Sequence, residues 1–141
     1  MARATLRPPA VLAHGFATLN RISDGRALAV LGSGDRQSQA ENDECGLPFG
    51  TIADRVGALR EAVIATRAVG VPTWIGGTHE RVLGEVTHAD GWNRWAGTVE
   101  QFVDGVTRVR AINPSAVLTW GGLVVVASSD REARRMAERL D

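Results

Sequence analysis

Two glycine-bearing stretches hold the residues whose types and spacing could do chemistry. In Val71-Pro72-Thr73-Trp74-Ile75-Gly76-Gly77-Thr78-His79-Glu80, a short apolar, β-rich run meets a glycine pair. A helix is expected over His79 to His88, with Val82, Leu83 and Val86 on one face. Thr78 is placed to cap that helix, so the N–H groups of Gly77, Thr78 and His79 would point back over the strand end, a place that suits phosphate or carboxylate. A plain strand-to-helix turn fits the same residues equally well. The second stretch, Gly32-Ser33-Gly34-Asp35, follows the apolar run Ala27 to Leu31. It opens like a dinucleotide fingerprint, but the third glycine would fall at Gln37 and no helix is expected there, which argues against a dinucleotide site. Asp35 has the chemistry of a general base or a ribose contact, although aspartates in such loops more often bond local backbone.

Other reactive side chains carry less. Trp74, Trp92, Trp95 and Trp120 all stand near expected strand ends in a chain without tyrosine, and suit either a core or a planar ring ligand. His14, His79 and His88 have no partner at a metal-ligand spacing, so no metal is expected. Cys45 lies in a Gly/Pro-bearing loop with no activating neighbour and is a bystander thiol. Arg131, Arg134, Arg135 and Arg139 form a solvated helix face.

Composition sets the frame for these residues. With 141 residues, 44% of them hydrophobic, the chain suits one domain spanning 1–141 with one ordinary core. Sixteen Lys+Arg balance sixteen Asp+Glu, so neither nucleic acid nor an anionic membrane is indicated as a partner. The apolar run near Leu123 to Ala127 is too short to span a bilayer, and the amino end is charged and broken by Pro8-Pro9; a cytoplasmic protein is expected.

The elements that must position the glycines alternate between two periods. Pro8-Pro9 opens a helix carrying Val11, Leu12, Phe16, Leu19 and Ile22 to a stop at Ser23-Asp24-Gly25. A strand over Ala27 to Leu31 is followed by a long loop from Arg36 to Gly50. Thr51 and Asp54 then cap a helix carrying Ile52, Val56, Leu59, Val63 and Ile64 to Gly70. Beyond the strand at Val71 to Ile75, a brief strand is expected over Ala89 to Asn93. Thr98 with Gln101 caps a helix whose core face is Val99, Phe102, Val103, Val106 and Val109. Ala116 to Ala127 is the last strand region, interrupted at Gly121-Gly122 by a bulge or a break into two strands, and Ser129 with Glu132 caps a final helix to Leu140. Strands separated by single helices predict parallel β/α units with four strands and a ligand beyond their carboxyl ends.

The pieces Thr5-Leu6-Arg7-Pro8-Pro9-Ala10-Val11-Leu12-Ala13, Ala17 to Arg26, Leu31-Gly32-Ser33-Gly34, Val71 to Gly77 and Ala89 to Asn93, in this order and spacing, resemble the luciferase-like flavin-dependent oxidoreductases. The branch that uses the deazaflavin coenzyme F420 is the most similar. The resemblance implies an α/β fold that is part of a (β/α)8 TIM barrel, its carboxyl-terminal portion. It also implies hydride transfer between F420, or FMN as the alternative, and a small organic substrate. By the same resemblance Gly32, Ser33, Gly34 and Ser38 line the cofactor. Gly76 and Gly77 hold its phosphate with Thr78, His79 and Glu80 beside them, and Trp92 and Asn93 line the substrate pocket. Asp35 stands where some dehydrogenase members carry a catalytic glutamate. Family members have three further strands before the Leu-Arg-Pro-Pro segment, so a half-barrel is expected here. It would expose two parallel edges and one apolar face, and would pair with a second copy or a complementary half-barrel. The alternative is a non-catalytic remnant that binds a phosphorylated ligand or a partner half through the same rim.

Overall fold

The computed structural model describes residues 1–139. Five strands lie parallel in sequence order: β1 (Ala2–Arg3), β2 (Ala29–Gly32), β3 (Thr73–Gly76), β4 (Gly91–Trp95) and β5 (Val117–Gly121). Each strand pairs with the one before it in the chain, so there is no point at which the order reverses. That is the arrangement of a barrel wall, not of a doubly wound nucleotide-binding sheet. The fold is an arc of a TIM-barrel-like α/β protein.

The helices follow their local signals. α1 (Pro9–Ile22) has proline at its first position, where the missing N–H costs nothing. α3 (Ile52–Ala68) opens with a reciprocal cap in which Asp54 donates its backbone N–H to Thr51 Oγ1 at 3.2 Å and Thr51 N–H donates to Asp54 Oδ2 at 2.8 Å. The Asp54 carboxyl is held below its ordinary value by the bonds from the Thr51 side chain and backbone. α5 (Val99–Ile112) repeats the device with Thr98 and Gln101, and α6 (Asp130–Ala137) begins with Ser129 accepting from Glu132 N–H.

Register divides the sheet into two faces. Ala2, Leu31, Ile75, Trp92 and Leu118 fall in one row, because each is paired with the next across the ladder. This row meets Leu12 of α1, Val56, Leu59 and Val63 of α3, and Val109 of α5 in one core. Trp92 is fully buried, stacks on Phe102 with ring centroids 5.9 Å apart, and lies against Gly105, the α5 position that a side chain would fill. The other face carries Val30 and Trp74, half-buried, and Val117, exposed.

Several expectations need correction. The described residues hold five strands rather than four: β1 is two residues long, too short to show a period, and exists because Ala2 and Arg3 pair with Leu31 and Gly32. The expected loop from Arg36 holds a 3₁₀ turn (Arg36–Ser38) and a short helix, α2 (Gln39–Glu44), built from polar helix formers that leave no apolar stripe to read. The helix expected over His79 to His88 is α4 (Glu80–Gly84) followed by a 3₁₀ turn (Glu85–His88), and its cap is His79, whose Nδ1 accepts from Arg81 N–H at 3.2 Å, not Thr78. Val99 and Val103 are exposed; α5 turns Phe102, Gly105, Val106 and Val109 to the sheet instead. After Gly121 no strand follows among the described residues, and Leu123, Val124 and Val126 are each at least 75% exposed. Leu140, the expected end of the last helix, lies outside the described residues.

Candidate functional site

One residue beyond the core row, alternation reverses the side chains, and the carboxyl ends of the strands present a second row on the open face: Arg3, Gly32, Gly76, Asn93 and Thr119. Two glycines side by side put no side chain of their own between an arginine and an amide. A Cβ on Gly32 would stand 3.1 Å from Met1 Sδ, and one on Gly76 would meet the same sulfur, so the far end of a flexible methionine lies over this floor. At one end of the row Asn93 donates from Nδ2 to Thr119 Oγ1 at 2.8 Å. Tryptophans flank it. On the open face, Trp74 lies across Gly91 in the row below and Trp95 across Gly121 in the row above. Their rows lie roughly 7 Å to either side along the strands, and the indoles offer flat surfaces against which a planar group can lie.

The loops beyond this row are held by specific bonds. Past Gly76 the chain passes through Gly77 at φ +128°, a conformation that favours glycine, and the indole N–H of Trp92 donates to the Gly77 carbonyl at 2.8 Å. Thr78, His79 and Glu80 follow on the exposed side. Past Gly32, Ser33 is buried, Gly34 turns at φ +77°, and Asp35 caps the 3₁₀ turn: its Oδ1 accepts from Ser38 N–H at 3.1 Å and from Ser38 Oγ at 3.0 Å.

The structure therefore brings Gly32, Gly76 and Asn93 into one row, with Ser33, Gly34, Asp35 and Ser38 on one adjoining loop and Gly77, Thr78, His79 and Glu80 on the next. It does not bring Trp92 there. Trp92 points to the helices, one residue out of phase with Asn93, and reaches the rim only through its bond to Gly77. Arg3 and Thr119 belong to the row and were not singled out in the sequence. Register reveals them: Arg3 stands beside no glycine, and Thr119 is marked in the sequence only by Gly121-Gly122 two residues on. Among the described residues, no group of three or more His, Cys, Asp or Glu side chains could hold a metal, and no helix is long and apolar enough to cross a membrane.

A parallel arc with its polar and glycine-rich rim at the carboxyl ends of the strands is the ligand-binding side of a β/α barrel wall. Residues 1–70 match the family model of the luciferase-like monooxygenases, and over that half the chain carries the luciferase-like pattern. The chain is also similar to an F420-dependent glucose-6-phosphate dehydrogenase of Intrasporangium calvum, 34% identical over 77 residues. That alignment covers 55% of this chain and 21% of the relative, so the chain spans about a fifth of that protein's length.

Proposed function

We propose that this chain forms part of the cofactor wall of a luciferase-like oxidoreductase that transfers a hydride between F420, or FMN as the alternative, and an organic substrate. The observation that carries this reading is the pair Gly32 and Gly76, side by side on the open face with no side chain of their own and with the flexible Met1 side chain lying over them. F420 or FMN supplies the hydride chemistry when bound; the protein supplies position and electrostatics. Ser33, Gly34 and Ser38 line the ring from the β2 loop, and Gly76 and Gly77 admit the phosphate-bearing tail close to backbone, with Thr78, His79 and Glu80 beside it. Asn93 fixes orientation through its amide, part of which is already held by Thr119. The open sheet face and the unpaired edges of β1 and β5 support a partner, either a second copy or a complementary half-barrel.

One observation favours a second reading. Asp35, in the place of the family's catalytic glutamate, accepts both donors of Ser38 on its Oδ1, as a structural cap would. On that reading the chain binds a phosphorylated ligand or a partner half through the same rim without turnover.

Titration with F420 and with FMN, followed by a turnover assay on the deazaflavin's visible absorbance, separates the two. Measurable F420 affinity is expected, with little turnover until a polypeptide carrying the preceding three strands of a family barrel is added, because misplacement of about 1 Å already costs on the order of a hundred-fold in rate. Gly76→Asp should weaken F420 binding by more than about ten-fold through repulsion and lost approach. Equal affinity of variant and parent would remove the glycine floor from the site.

A further inference from the structure

We propose that Arg3 is a positioning residue that holds the β2 loop, residues 33–45, in place at the rim. The proposal rests on the reading above only for its consequence on cofactor binding. Arg3 ends β1 beside Gly32, and only 12% of its side chain is exposed. From Nη1 it donates to the Ser38 carbonyl at 3.0 Å and to the Glu41 carboxylate; from Nη2 it donates to Asn42 Oδ1 and, at 3.5 Å, to Thr5 Oγ1. Asn42 is fully buried and passes the restraint on, donating from Nδ2 to the Pro48 carbonyl at 2.9 Å. One planar guanidinium thus ties β1 to the 3₁₀ turn and to both acceptors on α2, and the fixed Ser38 in turn holds the Asp35 carboxylate.

The fit is reciprocal. Arg3 Nε is buried without a partner among the described residues, and a Cβ at Gly34 would stand 3.2 Å from it. Only glycine at that left-handed position lets the guanidinium lie so close. A lysine would keep the charge but bring one compact ammonium to acceptors spread over Ser38, Glu41 and Asn42. The loop's position is therefore set by a residue from the neighbouring strand more than by its own sequence.

Amide hydrogen exchange, urea unfolding and F420 fluorescence titration on the whole chain test this with Arg3→Met and Arg3→Lys. Arg3→Met should speed exchange of amides 35–45 at least ten-fold while amides of β3 and α5 keep their rates, and should weaken F420 binding at least five-fold. Arg3→Lys should recover part of both effects. Glu41 is half exposed, so Glu41→Gln folds in any case and should show the same local pattern in weaker form. Unchanged exchange at 35–45 in these variants overturns the proposal, and so does an increase spread evenly over the sheet, which would make Arg3 a general stabiliser. If the parent takes up no F420 yet exchange changes locally, the positioning role stands and the cofactor reading falls.

Discussion

The middle of the sheet and its last unit are written in similar residues and end differently. β2 and β3 each bury three of four residues, whereas β5, just as apolar, buries none of its five. α3 seats Val56, Leu59, Ala62, Val63 and Thr66 in the core, while α6, also capped by a side chain, seats none. Caps and β-branched runs decide that an element forms, but burial comes from neighbours on both sides. β5 has a neighbour on one side only.

Replacing a tryptophan in each region is the strongest way to break this comparison. Trp92→Ala should cost about 3–5 kcal/mol in urea unfolding, since a fully buried ring is removed and Gly77 loses its donor. Trp120→Ala, on half-exposed β5, should stay within about 0.5 kcal/mol. Comparable losses would mean that the last unit is as firmly packed as the centre. Next in size is self-association. The exposed Leu123, Val124 and Val126 and the open edges should make the chain a dimer or larger in sedimentation, and the triple serine variant should shift it toward monomer with its unfolding midpoint unchanged. A parent that sediments as a monomer and unfolds cooperatively would sink that expectation.

Smaller effects sharpen the contrast at the caps. Thr51→Ala should cost about 1 kcal/mol because α3 is integral to the core, and Ser129→Ala should have no measurable effect because α6 buries no residue. The smallest effect is one of pH. Asp54 titrates below its ordinary 3.8 in the folded protein, so it binds a proton less readily there than in the unfolded chain. Its contribution is full above about that value and is lost as pH falls through the lowered one. Acid titration followed by exchange of the first amides of α3 should show fraying below pH 3.8 that Asp54→Asn lacks; identical profiles would contradict the cap's charged form.

What could be read in the sequence follows the same division. The α1 opening, the Thr51–Asp54 and Thr98–Gln101 caps, and the strand-to-glycine handoffs at Gly32 and Gly76 are local codes, and the structure carries each of them. α2 escaped because Gln39-Ala40-Glu41-Asn42-Asp43-Glu44 has no apolar period; it is fixed from outside by Arg3. The resemblance places Trp92 and Asn93 together in the substrate pocket, and strand alternation separates them: adjacent residues cannot both face the open row. Arg3 and Thr119 became visible only when register aligned them with the glycines. Chemistry at a strand end is legible from composition, but the face it occupies depends on pairing that spans tens of residues.

The unbroken β1-to-β5 order also bears on how the chain folds during synthesis. Every strand finds its partner in the one made just before it, so a nascent polypeptide can add each β/α unit to a finished edge without waiting for a distant segment or threading past one. Loop closure at each step spans a single helix-bearing connection, and its entropic cost grows only logarithmically with length. Growth by accretion leaves the newest edge always ready to receive a strand. That readiness serves assembly while a next unit arrives and becomes a hazard of mispairing when none does.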